Sequence, residues 1–509
     1  MDIREVTHMI YYNTESLRDK IHACWVGKNI GGTMGTPYEG KRELLDIQGF
    51  VTEAGTVLPN DDLDLQLVWL RAMDEMGPEN VNEKVLGEYW LTYIGPAWAE
   101  YGKCKSNMRE GLLPPISGEV YNDNWKNSNG AWIRTEIWAC LFPGLPERAV
   151  RYAFYDACVD HGYNEGTYAA IFVAAMESAA FIYNDVNTLL NIGLSKIPAD
   201  CRVAKAIMLV REEYAKGTDW KVVRNMLVEQ SSDIGWFQAP ANVAFVVLGL
   251  LYGECDFKKS MILAINCGDD TDCTGATCGA LLGIMYGTAG IPADWSAHVG
   301  DNIITCCNLK GHGTWPATNT ELTDYVMDML PATTRKSRYY NGFHGNSAWA
   351  YGTPKGCRPE HGISIGDHED FSEVTPEDYV GDSFVQDMFA RSHFSFHVCG
   401  VYTDVWVELD QVPEIQPLGT ISGKITIKNL RMTQQKHYHL RWFLPEGWSV
   451  SGRSNVSADV PYSNYTKEEA CVPFTITAGE KAECNNRLVL EVSTTDRPTC
   501  VYVPVMILG

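Results

Sequence analysis

Two short acidic clusters carry the side chains of this sequence whose types and spacing could do chemistry. Asn60–Asp64 and Asp269–Asp272 lie far apart in the chain, and each stands at the start of a stretch rich in apolar residues. Leu63, Leu67 and Leu70 recur at helical spacing, so the first cluster falls in the N-cap and first turn of a helix. Aspartate there is often only a cap that complements the helix dipole. Two such clusters together predict carboxylates that converge on hard metal ions.

A row of glycines follows the second cluster. Gly275, Gly279, Gly283 and Gly287 recur at intervals of four residues with mostly small or apolar residues between them. Because each glycine costs about 1 kcal/mol in a helix interior relative to alanine, the row indicates that another backbone approaches closely. The segment is too short and too glycine-rich for a membrane span. It is predicted to form a central buried helix whose acidic end enters an interior cleft, where unpaired charge would require cations.

The donor types indicate which cations would bind. Both clusters offer oxygen ligands, neither contains histidine, and the sequence has no cysteine pair at CxxC spacing, so Mg²⁺, Mn²⁺ or Ca²⁺ fit and Zn²⁺ does not. An EF-hand beginning at Asp270 would need glutamate at its twelfth position, which is Leu281. Asp270–Thr274 also spells DxDxT, the nucleophile motif of haloacid-dehalogenase-type phosphotransferases. That motif follows a strand, and no alternating strand and helix pattern surrounds it here, so phosphotransfer is a weaker alternative.

Length and composition are those of a two-domain globular enzyme. The chain has 509 residues, and this length exceeds what one hydrophobic core supports. Its hydrophobic fraction of 45% is ordinary for a globular protein. The net charge of −23 repels phosphate backbones and argues against a nucleic-acid partner. No segment is predicted to span a membrane, and the first thirty residues lack the features of a signal peptide, although a removed leader would leave no trace. Cys24, Cys140, Cys158, Cys267 and Cys278 have the neighbours of buried thiols, which predicts a cytoplasmic location.

Hydrophobic patterning divides the chain into three predicted parts. Residues 1–331 are helical and rich in small residues, and a last helix over Glu321–Leu330 is predicted to end before Pro331. Residues 332–391 are rich in Gly, Tyr, His and Pro, and this aromatic-rich composition predicts a structured connector on the first domain. Residues 392–509 form the third part.

The third part alternates apolar and polar residues with a period of two, which predicts about seven short strands and a β-sandwich. The predicted strands are Phe394–Val398, Val405–Leu409, Ile421–Ile427, His437–Phe443, Cys471–Ile476, Arg487–Val492 and Val501–Ile507. The segment Ile427–Asn429 followed by Leu444–Val450 resembles sandwich domains appended to several carbohydrate-active enzymes. A generic sandwich with a proline-glycine turn would share these features.

Five motifs, in order along about residues 15–330, resemble those of the ADP-ribosylglycohydrolase family, which includes dinitrogenase reductase-activating glycohydrolase and ADP-ribosylhydrolases. The family has a small-residue helix with a Gly-x-Pro-x-Glu turn, a Thr-Asp-Asp-Thr signature, a Gly-Asn-Gly loop ending in Met-Arg, a Thr-His helix end and a Gly-Gly-Asp-Thr-Asp-Thr signature. The similar segments here are Gly27–Glu39, Asn60–Leu63, Ser128–Arg134, Asp160–His161 and Gly268–Gly283. Each motif is weak alone, but five in the family's order are specific.

The resemblance implies an all-α domain with a binuclear Mg²⁺ or Mn²⁺ centre at the floor of a cleft. The metal ligands carried over from the family are Asn60, Asp61, Asp62, Asp270 and Asp272. Two cations could bind ribose hydroxyls and orient a water molecule while a carboxylate accepts its proton. Asp62 is expected to position or activate that water, and Glu39 to be a second, flexible acid near the entrance.

The resemblance also implies a substrate site at Asn129, Gly130 and His161. From the residues alone, Asn129-Gly130 is a turn, and His161 is a helix end that complements the dipole. Aromatic side chains are more often core than ligand platforms, but Trp125 and Trp132 flank the Asn129 loop and are predicted to stack on a sugar.

Four departures from the family pattern bear on function. Asn60 is neutral where the family has threonine, and Cys273 offers a thiol, which is a poor ligand for a hard cation. One of the two metal sites is therefore expected to be weaker. Leu63 and the Ser128 variant of the loop indicate a ligand other than protein-linked ADP-ribose.

Three classes of function follow from these features. The first is metal-dependent hydrolysis of a glycosidic bond in an ADP-ribosyl or ribosyl compound or, alternatively, in a simple sugar glycoside. The second is a protein that binds ADP-ribose or a sugar with an impaired metal site, and the third is phosphotransfer through Asp270. The expected partner is a small molecule or glycan. The sequence leaves open the oligomeric state and the choice between retention and inversion.

Overall fold

The computed structural model describes a helical domain followed by two antiparallel sheets, which confirms the predicted fold class. None of the described helices has the length and apolarity needed to cross a bilayer. The described residues are 9–308, 313–334, 362–368, 371–372, 374–381, 385–400, 403–429, 436–451, 455–460, 469–494, 497–498 and 500–509.

Side-chain caps explain where many helices of the first domain begin. Asn13, Asn60, Asn82, Asp219 and Asp256 each accept a backbone N–H from the first turn of the helix that follows. The helices are α1 (Thr14–Gly35), α2 (Asp61–Met76), α3 (Glu83–Tyr93), α4 (Ala99–Arg109), α5 (Glu136–Leu141), α6 (Pro146–His161), α7 (Glu165–Ala180), α8 (Val186–Leu194), α9 (Arg202–Lys216), α10 (Trp220–Gln230), α11 (Ala239–Tyr252), α12 (Phe257–Asn266), α13 (Thr271–Tyr286), α14 (Ala293–Val299) and α15 (Asn319–Thr333).

Helices α1 and α13 pack along a seam of glycines, which confirms the predicted close approach of a second backbone. A Cβ at Gly27 would lie 2.1 Å from the carbonyl oxygen of Gly279, and a Cβ at Gly31 would lie 2.0 Å from that of Gly275. Gly287, the last glycine of the row, instead ends α13 with a φ of +67°. The seam places the end of α1 beside the start of α13, where the second acidic cluster lies.

The end of the helical domain corrects one prediction. Helix α15 runs from Asn319 to Thr333 through Pro331, whereas the sequence predicted an end before that proline. Proline removes one backbone donor, and because this loss falls in the last turn, the helix continues for two more residues. The N–H of Thr334 then donates to the carbonyl of Leu330 at 2.9 Å.

The five cysteines that the sequence predicted as buried thiols are buried and free. Burial raises the pKa of the Cys24 and Cys158 thiols well above the ordinary value. These thiols therefore act as small apolar core groups.

Part of the connector lies against the helical domain. Two connector strands pair with a strand that precedes α1, and two short helices follow them. The sequence predicted neither the connector strands nor the strand before α1. The elements are β1 (Met9–Asn13), β2 (Gly362–Gly366), β3 (Phe371–Ser372), α16 (Pro376–Tyr379) and α17 (Val385–Phe389). Strand β1 pairs in parallel with β2 and antiparallel with β3, and the Tyr379 hydroxyl donates to the Gly144 carbonyl at 2.7 Å. The most aromatic part of the connector, residues 335–361, lies outside the described residues.

The third part forms two facing antiparallel sheets with the orders β4-β5-β6-β10-β8 and β12-β11-β7-β9. The strands are β4 (Ser395–Cys399), β5 (Thr403–Leu409), β6 (Thr420–Asn429), β7 (Lys436–Phe443), β8 (Ser449–Val450), β9 (Asn455–Val460), β10 (Glu469–Thr477), β11 (Asn485–Thr494) and β12 (Val501–Leu508). All seven predicted strands are present within two residues of their predicted ends, and β8 and β9 are additional.

The sandwich packs on the helical domain. Leu112, Ile116 and Val120 of the helical domain belong to the hydrophobic core of the sandwich. His397 on β4 lies 3.2 Å from a Glu83 oxygen and 2.5 Å from an Asp404 oxygen. Burial lowers the pKa of His397, but the two carboxylates outweigh it and raise the pKa to about 9. An apolar contact and a charged one thus join the two domains.

Candidate metal and substrate site

The N-terminus of α2 forms one side of the site. Asn60 is extended, and its side-chain oxygen accepts the backbone N–H of Asp62 at 2.8 Å, so it is the N-cap. Gly32 leaves room for the Asn60 amide, because a Cβ there would lie 2.2 Å from the amide nitrogen. Asp61 lines a cavity and accepts a hydrogen bond from the Tyr101 hydroxyl at 2.9 Å, whereas Asp62 is fully buried. The predicted ligands of this cluster therefore lie in two layers.

The N-terminus of α13 forms the opposite side. Asp270 accepts a hydrogen bond from the Asn129 amide at 2.6 Å, and one buried oxygen of Asp272 accepts none from the described residues. Asp269 differs, because its carboxylate accepts the backbone N–H of Phe237 at 3.0 Å and its φ is +71°. Asp269 thus belongs to the scaffold, while Asp270 and Asp272 line the cavity.

Two sets of three side chains bring possible ligand atoms within 4.8 Å of one another here. One set is Glu39, Asp270 and Asp272, and the other is Asp62, Asp272 and Cys273. Because Asp272 is common to both sets, they adjoin. Three separate segments of the chain thus supply acids to one place: the turn after α1, the start of α2 and the start of α13.

The DxDxT motif lacks the strand that accompanies it in phosphotransferases. Asp270 follows helix α12 and a turn at Gly268 with a φ of +76°, and it directly precedes α13. Residues 239–300, all described, contain no strand. This arrangement does not favour phosphotransfer through Asp270.

Burial and mutual repulsion raise the pKa values of the acids. Burial, followed by Asp272, raises the pKa of Asp270 well above its ordinary value. Burial and Asp61 raise the pKa of Asp272 to about 6, and partial burial with Asp272 and Asp61 raises that of Glu39, at the exposed mouth, to about 7. A divalent cation would relieve this repulsion. The oxygen donors and the unpartnered Asp272 oxygen fit Mg²⁺, Mn²⁺ or Ca²⁺, whereas the Cys273 thiol does not.

Lys28 lies beneath Asp62 and was missed by the sequence analysis. Its buried ammonium group is 2.7 Å from a Glu136 oxygen and 3.8 Å from an Asp62 oxygen, and it donates to the Ile133 carbonyl at 2.7 Å. Burial lowers the pKa of Lys28, but Glu136 and Asp62 outweigh it and raise the pKa above its ordinary value. Gln66 donates to the other Glu136 oxygen at 2.8 Å. In the sequence, Lys28 is distinguished only by its place among the small and apolar residues of the second half of α1.

A cavity of about 250 Å³ opens above these acids. Acidic and aromatic side chains dominate its wall, and none of the described lining residues is lysine, arginine or histidine. The lining residues are Glu39, Asp61, Trp98, Ala99, Glu100, Tyr101, Trp125, Ser128, Asn129, Gly130, Ile133, Phe237, Asp270, Asp272 and Cys273.

Asn129 connects the predicted substrate loop to the α13 acids. Its amide nitrogen donates to Asp270, and its amide oxygen accepts from the Trp132 indole N–H at 3.0 Å. Trp132 is fully buried and does not line the cavity, whereas Trp125 does. Of the two aromatic residues predicted to stack on a sugar, Trp125 is therefore placed to touch a ligand, and Trp132 orients Asn129.

His161 lies behind the cavity wall. It is fully buried, with one ring nitrogen 3.0 Å from the Ser128 hydroxyl and the other 2.8 Å from an Asp160 oxygen. Arg134 donates to the same Asp160 carboxylate at 2.8 Å. Because Ser128 and Glu100 line the cavity and His161 does not, His161 can affect a ligand through either of these two neighbours.

Glu100 is the main cavity residue that the sequence analysis missed. Its carboxylate lies directly against Gly130, since a Cβ on that glycine would be 2.1 Å from a Glu100 oxygen. Burial raises the pKa of Glu100, and neighbouring His161 opposes this shift. The signal in the sequence was an acid between two aromatics, Trp98 and Tyr101, both of which also line the cavity.

Comparisons with known proteins agree with the first-domain motifs. The ADP-ribosylglycohydrolase family model matches residues 13–328, a range that includes every acid of the site. An uncharacterized protein of Archaeoglobus fulgidus is 24% identical over 297 residues, which cover 55% of this chain and 91% of that protein. This family match supports a hydrolase of glycosidic bonds.

Solved structures resemble only a small part of the chain. The FixG-related protein from Vibrio parahaemolyticus shares 11% identity at a TM-score of 0.17, with 22% of this chain and 98% of that chain covered. The yeast GGA1 GAE domain shares 8% identity at a TM-score of 0.17, with 23% and 99% covered. Neither likeness bears on the fold, and the assignment comes from the family match: the chain belongs to the ADP-ribosylglycohydrolase family.

Proposed function

We propose that this chain hydrolyses a glycosidic bond in the cavity above Glu39, Asp61, Asp270 and Asp272, with one or two bound divalent cations. The observation that carries the proposal is the convergence of acids from three segments on one cavity floor. One Asp272 oxygen there accepts no hydrogen bond from the described residues. Buried carboxylates in such a group need protons or cations, and oxygen donors suit Mg²⁺, Mn²⁺ or Ca²⁺.

The proposed ligands are Asp61, Asp270 and Asp272, with Asp62 behind them. A bound cation would supply a Lewis acid that orients sugar hydroxyls and the attacking water. Lys28 fixes Asp62, which is proposed to position that water from below. Asn60 is a weaker candidate ligand, because its side-chain oxygen already accepts a helix N–H.

Glu39 is the proposed proton carrier. It stands at the exposed mouth, and its pKa is about 7 without metal. Partial burial, the largest cause, would keep this pKa above the ordinary value when cations balance Asp272 and Asp61. The N–H of Gly40 donates to the Asp269 carbonyl at 2.8 Å, which holds the turn containing Glu39 against the start of α13. An acid held at the mouth by this turn can exchange protons with both solvent and substrate.

We propose domain boundaries at residues 1–331, 332–391 and 392–509. The hydrolytic activity is assigned to the first domain, because every described residue that lines the cavity belongs to it. The sandwich is an accessory domain that packs on Leu112, Ile116 and Val120.

The second candidate is a sugar-binding or ADP-ribose-binding protein with an impaired metal site. The observation that favours it is Cys273, whose thiol lies 3.4 Å from an Asp62 oxygen and donates to it. A thiol at that place is a poor neighbour for a hard cation, so affinity on the α2 side would be low. In this case ligand binding would occur without turnover.

The proposal is tested by hydrolysis with the purified full chain. ADP-ribosylated peptides and a panel of aryl glycosides are incubated with the protein in Mg²⁺, Mn²⁺, Ca²⁺ or a chelator. We expect turnover of at least one substrate, its loss in chelator and its recovery with added cation. Asp270→Asn should be inactive, and Asp123→Asn, at an exposed acid, is the matched control. Turnover that persists in chelator would contradict the proposed metal dependence. Binding without turnover would support the second candidate.

A further inference from the structure

We infer that the cavity accepts one neutral sugar ring and disfavours a phosphate group beside it. This inference rests on the proposed glycosidic hydrolysis and names its substrate class. It comes from three independent properties of the cavity: the charge of its wall, the placement of its aromatic side chains and its volume.

Negative charge extends beyond the group that cations would neutralise. Glu39, Asp61, Asp270 and Asp272 stand together on the floor, where one or two divalent cations can balance them. Glu100 also lines the wall, and its carboxylate groups with Asp160 and His161 and not with the acids of the floor. No described residue of the wall is cationic, so a pyrophosphate leaving the floor would meet a carboxylate instead of the arginine or lysine that phosphate groups prefer.

Glu100 is placed to receive sugar hydroxyls. Its side chain is only 6% exposed, and its carboxylate lies against Gly130, which has no side chain to cover it. In either protonation state this carboxyl group can accept a hydrogen bond from a sugar hydroxyl, and when protonated it can also donate one. The Ser128 hydroxyl, which donates to the Trp125 carbonyl at 2.6 Å, adds a second polar group to this wall. A ligand that carries hydroxyl groups would match the Glu100 carboxyl group in either state.

Aromatic faces provide the second half of a sugar site. Trp98, Tyr101, Trp125 and Phe237 line the same cavity, and Trp98 is 53% exposed at its edge. Covering the apolar surface of an exposed tryptophan with a ligand is favourable, because it removes that surface from water. The C–H face of a sugar ring packs on such a surface. Hydroxyl acceptors and aromatic faces in one cavity are suited to a neutral ring with one polar edge.

The enclosed volume of this open cavity holds about one ring. At about 250 Å³ the cavity is below the range of roughly 300–1,000 Å³ that encloses a drug-sized ligand. A ribose linked to a pyrophosphate and adenine would leave most of its length outside the described wall. A single pentose or hexose attached to an outward-facing leaving group fits this space.

The test compares neutral and phosphate-bearing ligands at equal free Mg²⁺. Turnover is measured for aryl pentofuranosides, aryl hexosides and ADP-ribosylated peptides, and binding is measured by calorimetry for ribose, arabinose, galactose, glucose, AMP and ADP-ribose. We expect a neutral glycoside to have a kcat/KM at least tenfold above that of the ADP-ribosylated peptides, and a neutral sugar to bind more tightly than AMP. Preference for the ADP-ribosylated peptides, or tighter binding of ADP-ribose than of every neutral sugar, would overturn the inference.

Failure of the inference is separable from failure of the proposed function. If no substrate of either class is hydrolysed, the proposed function fails, and the binding comparison still decides which ligand class the cavity takes. If ADP-ribosylated peptides are hydrolysed and neutral glycosides are not, the proposed function stands and the inference fails. Absence of binding by both classes would overturn the inference as well.

Substitution of Glu100 isolates its part in selectivity. Glu100→Gln removes the negative charge with little change in size, so kcat/KM for the neutral glycoside should fall about tenfold while binding of AMP improves. Glu88→Gln, at an exposed acid on α3, makes the same chemical change away from the cavity and should change neither. An equal loss for both ligand classes would mean that Glu100 has only a structural role and would overturn its assignment.

Discussion

The two sides of the cavity floor differ in how their negative charge is balanced. On the α2 side, Asp62 and Glu136 share a buried ammonium group from Lys28. On the α13 side, Asp270 and Asp272 form no ion pair among the described residues, and Asp270 accepts a hydrogen bond from the neutral Asn129 amide. The protein thus supplies a cation of its own on one side and leaves the other side to protons or metal.

This difference assigns separate tasks to the two helices. Burial outweighs Lys28 and raises the pKa values of Asp62 and Glu136, but Lys28 lowers both values in part and holds the two side chains in place without metal. The α2 side is therefore suited to hold a water molecule or a helix end in place. Buried carboxylates without such a partner repel one another and have raised pKa values, so the α13 side is the stronger attractor for a divalent cation. Substitutions of the α13 carboxylates should therefore reduce metal binding more than substitutions of the α2 carboxylates.

The largest effect is expected for the α13 ligands. Asp270→Ala or Asp272→Ala should abolish bound divalent metal by elemental analysis and lower activity at least 100-fold, since even residues behind metal ligands cost about 10–100-fold. Asp62→Asn should retain metal on the α13 side, because Asp62 does not line the cavity and lies 3.8 Å from the Lys28 ammonium group. Asp123→Ala is the surface control. A fully loaded Asp272→Ala protein would contradict this assignment.

The lysine on the α2 side should matter for stability. Lys28→Met leaves Glu136 and Asp62 buried without their cation, so the free energy of unfolding should fall by about 3–5 kcal/mol in urea titrations of the metal-free protein. Adding Glu136→Gln to that variant should recover part of the loss. Lys205→Met, at an exposed lysine of α9, is the control. A change below about 1 kcal/mol for Lys28→Met would show that the pair is dispensable, as exposed ion pairs are.

The α13 side should make stability depend on pH in the absence of metal. The raised pKa values of Asp272, about 6, and Glu39, about 7, mean that the folded protein keeps protons that the unfolded chain releases. These two acids should therefore make stability fall as pH rises from about 4, where the unfolded acids ionise, to about 7. Urea unfolding in chelator at successive pH values measures this slope.

Metal should reverse that slope, because cations bind the ionised carboxylates. Mg²⁺ at 100 times its Kd would stabilise the folded state by about 2.7 kcal/mol, and the difference from chelator should grow between pH 5 and 8. Glu39→Gln should flatten the upper part of the metal-free curve. Equal stabilisation by Mg²⁺ at pH 5 and pH 8 would argue against cation binding by these acids.

Much of the fold was accessible from the sequence because its signals are periodic. The glycine row of α13 required a second backbone, and the alternation in residues 392–509 located seven strands within two residues of their ends. The sheet that joins β1 to β2 was missed, since it pairs segments about 350 residues apart and neither is long enough to show a period. Strand β9 was also missed, although its Val456, Ala458 and Val460 alternate with polar residues, because six residues with small apolar side chains give only a weak signal.

The candidate site was accessible only in part, for a different reason. Acids at helix starts are recognisable, so Asp61 and Asp270 could be identified from type and position. Lys28 and Glu100 are single residues with no motif, and their roles depend on neighbours from distant segments. His161 matched a motif, yet it lies behind the wall: a motif locates the neighbourhood of a site and not the layer in which a side chain lies.

The smallest expected effect concerns the two departures on the α2 side, Asn60 and Cys273. Cys273→Thr replaces the thiol beside the Asp62 oxygen with a hydroxyl, which is a better neighbour for a hard cation, so Mg²⁺ affinity should rise by up to about tenfold, or about 1.4 kcal/mol. Asn60→Thr should add little, because threonine also caps a helix and the Asn60 oxygen is already held by the Asp62 N–H.

Titration calorimetry of the two single variants and the double variant separates these contributions. If Cys273→Thr accounts for the gain, the weaker metal position lies between the two helices, next to Asp272, which is common to both ligand sets. If Asn60→Thr gives the larger gain, that position lies on α2 alone, and the charge supplied by Lys28 is then insufficient to replace a cation there. No gain in any variant would mean that the cation contacts the α13 acids only.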